Sequence, residues 1–363
     1  MKKTMYVIVV ILVLLGLLTA LVLRMPVFGN LPAGSRLERI KKLPNYKEGA
    51  LQNLSPTPMK PDSVSYWDMI KGMIKGNEHS SPAKALAHIA PDFSTSAQTK
   101  LIWFGHSSYF LQIDGLKILV DPVFGKRPSP FSFMGSSAYP GTDFIKVDDF
   151  PEIDIVLITH DHYDHLDHQS ILKLKDKTGL FITSLGAGAH LEYWGVPASK
   201  IRELAWGEET LFKGLKFTAA PARHFTGRAF KRNQTLWSAF VLEGAIHKLY
   251  LGGDSGYDTH FKQAGEQYGP FDLAVLECGQ YNAYWPLIHM FPEQTVQAAK
   301  DLNAKVLLPV HWAKFTLAMH AWNEPAIRVV KQAKAENFKI TTPLLGESVI
   351  LDESYPSKEW WLD

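Results

Sequence analysis

The run Thr159-His160-Asp161-His162-Tyr163-Asp164-His165 places three imidazoles within six residues, with Asp164 among them, directly after the apolar stretch Ile153-Asp154-Ile155-Val156-Leu157-Ile158. So polar a cluster cannot pack as ordinary core, so the fold has to present it at the end of a buried strand. Neutral imidazole nitrogens and carboxylate oxygens are the donors that a borderline divalent ion such as zinc selects. His160 and His162 lie two apart and project to one side of an extended stretch. Asp164 and His165 follow at a turn, where they can face a second ion. The pattern predicts a two-metal site.

The rest of the chain places further donors where such a site needs them. From Lys100 onward, strands alternate with turns. Residues 103–113 and 116–120 flank Asp114-Gly115, a two-residue loop that signals a tight hairpin. Later strands are expected at 153–158, 180–183, 215–219, 238–242, 248–251, 273–276 and 305–310. Helical patterns fall at 169–177 and 293–302, the latter with Pro292 well placed at a first helical position. This order predicts an α+β fold, sheets covered by helices. His224 follows the strand 215–219, Asp254 follows 248–251 across Gly252-Gly253, and His311 directly follows 305–310. Open sheets build their sites at the carboxyl ends of strands, where distant residues converge. The expected arrangement is therefore His160, His162 and His224 on one ion, Asp164, His165 and His311 on the other, and Asp254 bridging. Each ion keeps an open position for a shared water, as catalytic sites do.

Charge argues against a polyanionic partner: 38 basic residues face 36 acidic ones, so nucleic acid is not favoured. The single cysteine, Cys278, excludes an internal disulfide framework. Residues 5–23 form an uncharged apolar run, preceded by Lys2-Lys3 and closed by Arg24. At 1.5 Å per residue it can cross a bilayer core of about 30 Å. A cleavable signal peptide usually has a shorter apolar region ending in small residues; this run ends in Leu-Val-Leu-Arg, which favours a retained single-pass anchor. The chain then divides into an anchor (1–24), a linker and capping segment (25–99), the main domain (100–352) and a C-terminal tail (353–363). Within the linker, Trp67, Ile70 and Ile74 have helical spacing and are expected to cap the main domain or, as the alternative, to lie at the membrane surface.

The His-x-His-x-Asp-His run, with His224, Asp254 and His311 in that order, resembles the metallo-β-lactamase superfamily. That likeness implies a four-layer αββα sandwich with two metals at one edge of the paired sheets. Across residues 65–346 a finer succession is similar to the N-acylphosphatidylethanolamine-hydrolysing phospholipase D family. It comprises Trp103-Phe104-Gly105-His106-Ser107, Val120-Asp121-Pro122-Val123-Phe124, Arg127-Pro128-Ser129-Pro130, Thr159 to Asp167, Arg223-His224, Gly253-Asp254-Ser255-Gly256-Tyr257, His289-Met290-Phe291-Pro292-Glu293 and His311-Trp312.

The resemblance implies metal ligation by the same seven residues. It also implies catalytic roles for Asp164 and His289, and a phospholipase D-type phosphodiesterase that releases N-acylethanolamine and phosphatidic acid through a bridging hydroxide. Zinc is the expected ion, although the same donors accept iron or manganese. Asp121 is expected to orient a ligand histidine and His106 to stand behind the ligands. Tyr281, Trp285 and Trp312, with Tyr284, Leu287 and Phe315, are candidates to line an acyl groove. Arg127, with Lys126, Arg223 and Arg228, is a candidate phosphate contact. The expected partners are a phospholipid substrate and the membrane. Cys278 does not occupy the His224 position, where some β-lactam-hydrolysing relatives use a Cys ligand. The alternatives are another hydrolase of the same fold, such as a lactonase or a soluble phosphodiesterase, and a non-catalytic membrane-tethered metal-binding protein.

Overall fold

In a computed structural model describing residues 2–362, the strand-and-turn pattern of the main domain resolves into two sheets. The first has seven strands in the order β15-β3-β4-β5-β6-β7-β8: β3 (Lys100–Trp103), β4 (Tyr109–Ile113), β5 (Leu116–Val120), β6 (Ile153–Ile158), β7 (Thr178–Ser184), β8 (Ile201–Leu204) and β15 (Ser348–Ile350). The second has six in the order β14-β13-β12-β11-β10-β9: β9 (Glu209–Phe212), β10 (Leu215–Ala220), β11 (Ala239–Glu243), β12 (Lys248–Leu251), β13 (Leu273–Glu277) and β14 (Leu307–Val310). A short hairpin, β1 (Tyr46–Lys47) and β2 (Ala50–Leu51), precedes both.

Side-chain alternation divides each sheet between two cores. Leu101, Trp103, Tyr109, Leu111 and Ile113 face inward toward Phe217, Ala219, Phe240 and Leu242 of the second sheet. The opposite set, Ile102, Phe104, Phe110, Val156 and Phe181, packs under α4 (His168–Leu174) and α5 (Gly188–Tyr193) through Ile171, Leu174 and Leu191. The outer face of the second sheet is covered by α6 (His260–Tyr268), α7 (Pro292–Asp301) and α8 (Glu324–Ala335), which bury Phe261, Val296, Ala299, Val329 and Ala333. The result is the expected αββα sandwich. Strands buried on both faces read as continuous apolar runs, and β6 leaves only Asp154 partly exposed.

The Asp114-Gly115 hairpin joins β4 and β5 with both residues at positive φ, as a tight turn of this type requires. Three expectations need correction. Residues 103–113 are not one strand: the backbone turns at Gly105 and His106, both at positive φ, so that β3 and β4 pair antiparallel. The helix in the linker, α3 (Tyr66–Lys75), begins at a Ser65 capping box and meets the main domain through Gly72, against Tyr284 and Met319, rather than through Trp67, Ile70 and Ile74, which are exposed. The C-terminal residues are no free tail, because Trp360 and Trp361 enter the inter-sheet core against Trp312.

Other parts of the linker do pack. Ile40 of α2 (Gly34–Lys41) and Leu51 are fully buried with Leu185, Leu236 and Trp237. The first helix, α1 (Lys2–Val22), contains a 20-residue span of mean hydropathy 3.0, unburied by the described residues and long and apolar enough to cross a membrane.

Candidate metal centre

β10, β12 and β14 run the same way in the second sheet, and with β6 of the first they end along one edge of the sandwich, delivering His160, His224, Asp254 and His311 to one place. All four are buried, at 4% exposure or less. Their nitrogens meet in a way that imidazoles alone do not explain. His160 Nε2 lies 2.9 Å and His224 Nε2 3.2 Å from His162 Nδ1. His224 donates its Nδ1–H to Ile288 O at 2.8 Å. The Thr159 hydroxyl, which donates to Asp121, accepts from His160 Nδ1 at 3.0 Å. Both Nε2 atoms therefore carry lone pairs, which face a third nitrogen. Three nitrogens around a four-coordinate ion with bonds of about 2.1 Å stand about 3.4 Å apart, close to what is seen.

A second group lies beside the first. Asp164, His165, His311 and His106 offer donor atoms within 4.8 Å of one another. Between the groups, Asp254 Oδ2 is 3.2 Å from His165 Nε2 and 3.7 Å from His224 Nε2, while its Oδ1 is 3.2 Å from His311 Nδ1. His165 Nε2, His311 Nε2 and Asp254 Oδ1 are buried without a hydrogen-bond partner. Buried polar atoms are costly unless something meets them, and these donors suit a divalent cation. Burial, with neighbouring imidazoles adding to it, pushes His160 and His311 well below the usual histidine range, which keeps their lone pairs available. Burial lowers His165 too, but Asp254, Asp164 and Asp121 outweigh it and hold this ring well above.

Around the donors is a layer of orienting groups. Asp121, at positive φ after β5, accepts from Thr159 N at 2.8 Å and Thr159 Oγ1 at 2.7 Å, and from His165 Nδ1 at 2.7 Å. It thereby fixes which nitrogen of His165 faces the site. His106 Nε2 contacts Asp164 Oδ2 at 2.9 Å and its ring packs 4.1 Å from that of His311. His289 stands at the mouth, 5.0 Å from the His224 ring, with Nδ1 3.2 Å from Glu277 Oε1.

Two groups have no counterpart in the sequence reading. Glu277 ends β13, fully buried, and burial raises its carboxyl to about 7 against the pull of His289. A charged residue closing the apolar run Leu273 to Leu276 was the available signal. Asp161 turns away from the donors and ties the loop down, accepting from Gly227 N at 2.8 Å and Thr235 Oγ1 at 2.8 Å and meeting His190 at 3.2 Å.

The cavity above the donors measures about 130 Å³ and is walled by Phe225, Gln280, Trp285, Ile288 and Leu317. A larger one of about 470 Å³ shares His224, Phe225 and Ile288 with it and is closed by residues 47–59 of the linker. Trp285 lies where a groove was expected. Trp312 does not: it is 1% exposed, enclosed by Trp103, Trp360 and Trp361, because its side chain points between the sheets. Tyr281 is likewise buried, its hydroxyl held by Glu324 at 2.7 Å and its ring stacked on His320, and Phe315 is fully buried.

The expected phosphate cations are also displaced. Arg228 is committed to the carbonyls of Val27, Asp161 and Leu166, and Arg223 to Pro56 and Thr57. Arg127 and Lys126 line a separate cavity beside Met25. The cations lining the larger cavity are Lys47 and Arg232, the latter over the Phe225 ring at 5.2 Å.

Residues 117–312 match the model of the β-lactamase superfamily domain. A Mycobacterium tuberculosis protein named only as uncharacterized is 38% identical over 327 residues, 88% of this chain and 87% of that one. The N-acyl-phosphatidylethanolamine-hydrolyzing phospholipase D 1 of Caenorhabditis elegans is 31% identical over 63% of this chain and 67% of its own length. The solved structure of Igni18, a metallo hydrolase from Ignicoccus hospitalis, superposes with a TM-score of 0.55 over 71% of this chain and all of that one, at 24% identity. The chain belongs to the β-lactamase superfamily, as a metal-dependent hydrolase with the metallo-β-lactamase fold.

Proposed function

We propose that this protein hydrolyses N-acylated phosphatidylethanolamine at its phosphodiester, giving N-acylethanolamine and phosphatidic acid. The observation that carries the reading is the donor cluster of His160, His162, Asp164, His165, His224, Asp254 and His311 opening directly onto an apolar wall of Phe225, Trp285, Ile288 and Leu317. A phosphodiester flanked by long acyl chains needs both. The relationship to the C. elegans phospholipase supports it. So does the apolar face of α3, whose Gly72 lies against Tyr284 and Met319 beside Trp285.

His160, His162 and His224 would hold one divalent ion, and Asp164, His165 and His311 the other, with Asp254 between them. When bound, such a pair supplies an activated water and polarises a phosphoryl oxygen. Asp164, steered by His106, orients the attacking water on the far side of phosphorus from the leaving group. One P–O bond forms to the water oxygen as the bond to the ethanolamine oxygen breaks. His289, its proton secured by Glu277, donates to the departing alkoxide.

Mass spectrometry of N-acylphosphatidylethanolamine vesicles incubated with the zinc-loaded protein should show both products, and His162→Ala should remove them. Turnover of water-soluble lactones or phosphodiesters with none on vesicles would instead assign a different hydrolase activity to the same site.

A further inference from the structure

The chain leaving α1 is seized almost at once. Three residues, and at most about 14 Å of chain, separate Val22 from Pro26. The carbonyl of Pro26 accepts from Trp194 Nε1 at 2.7 Å, and that of Val27 from Arg228 Nε and Nη2 at 3.2 and 2.8 Å. Asn30 N donates to His190 Nδ1 at 3.0 Å. Arg228 is itself buried and donates through Nη1 to the carbonyls of Asp161 and Leu166, which bracket the donor loop. Whatever surrounds α1 therefore lies close to whatever else packs on residues 25–30.

What packs there is an exposed apolar loop. The Phe28 ring meets Phe131 edge-on at 6.0 Å, and Phe131 stacks on Phe133 at 5.4 Å. Phe133 is 76% exposed, Met134 53% and Met25 41%. Arg127 donates to Gly135 O and so pins the two ends of this loop together. The loop and residues 25–27 wall a cavity of about 500 Å³ with Lys126, Arg127 and His168 at its rim. The one carboxylate lining that cavity, Asp167, is occupied as the cap of α4. Large exposed apolar side chains beside basic ones, held at the mouth of an apolar helix, have the composition of a surface that sits among lipid headgroups.

We propose that loop 129–135 docks into the interfacial layer of the bilayer that α1 crosses, with Phe133 and Met134 inserted and Lys126 and Arg127 against anionic headgroups. The proposal rests on the reading of α1 as a retained anchor. Its consequence is mechanical: with the helix exit and the loop both seated, the clamp through Arg228 holds the catalytic edge at one orientation to the membrane.

Cys278 is fully buried, so single cysteines introduced elsewhere in the full-length chain can be spin-labelled selectively. Three positions suffice in nanodiscs containing phosphatidylglycerol: Val13→Cys in α1, Phe133→Cys in the loop, and Ile246→Cys in the β11–β12 turn at the edge opposite the donors. Electron paramagnetic resonance then compares access of oxygen and of a water-soluble nickel chelate. The expected result is a Val13 label in the lipid core, a Phe133 label several-fold less open to nickel than the Ile246 label, and partial loss of that protection when phosphatidylglycerol is left out. A Phe133 label as open to nickel as Ile246, with Val13 in lipid, overturns the docking while leaving the anchor intact. A Val13 label in water overturns both.

Discussion

Single residues at this site are held in conformations that their neighbours must sustain. His106, Asp121 and His311 all sit at positive φ, a backbone state costing of order 1–3 kcal/mol that persists only where surroundings over-determine it. Asp121 supplies part of that restraint by gripping Thr159 and His165 together. Asp121→Asn keeps the shape but can offer only one acceptor oxygen to three donors. Metal affinity should fall about 10–100-fold, as for other orienting partners of ligand histidines, measured by competition with a chromogenic chelator. Unchanged affinity would reduce Asp121 to a turn residue.

A different residue-scale effect belongs to Lys314, buried with Nζ on the Val123 carbonyl at 2.7 Å. Burial pushes this amine down from 10.5 to about 8. A folded-state value below the unfolded one means that the native state carries a penalty below pH 8, which is relieved as pH rises toward 10.5. The full penalty is on the order of 3 kcal/mol, partly offset by the hydrogen bond. Compared with Lys314→Met, the parent protein should gain stability between pH 7.5 and 9.5 in urea unfolding. A pH-independent difference between the two would contradict this.

At the scale of elements, those with purely local causes were legible. Asp114-Gly115 dictates its hairpin, Pro292 opens α7, and the apolar runs ending in His160, Asp254 and His311 became β6, β12 and β14. The break in 103–113 was missed although Gly105-His106-Ser107-Ser108 interrupts the apolar pattern there, because every residue from Trp103 to Ile113 is buried and the turn is held from a distance. His106 N donates to Trp312 O, a partner 206 positions away, and that contact is part of what holds the turn. The C-terminal segment was misjudged for the same reason: its two tryptophans find their partners only in the assembled core. Trp360→Ala, which empties a site enclosed by Trp312, Trp322 and Trp361, should cost about 3–5 kcal/mol, readable from the denaturation midpoint. A cost below about 1 kcal/mol would mean that the segment is a surface tail after all.

For the molecule as a whole, α1 contributes nothing to the packed domain, so deleting residues 2–24 should leave metal content and melting temperature as they are. Turnover on vesicles should nevertheless drop by roughly tenfold or more through lost effective concentration, while turnover on a soluble ester stays level. Deleting further, through Asn30, should instead lower the melting temperature, because Arg228, Trp194 and His190 lose their acceptors and contacts. Equal melting temperatures for the two deletions would show that the clamp carries no stability.

The sequence by itself marked the candidate donors, the strands that end in them and the apolar helix, since each rests on local chemistry: alternation, turn residues and ligand type; the four-layer sandwich followed from the family resemblance. Only the tertiary structure decided that Glu277 stands behind His289, that Trp312 and Tyr281 are core, and that Arg223 and Arg228 are struts. Those roles depend on which distant backbone a side chain meets, and no spacing along the chain encodes that meeting.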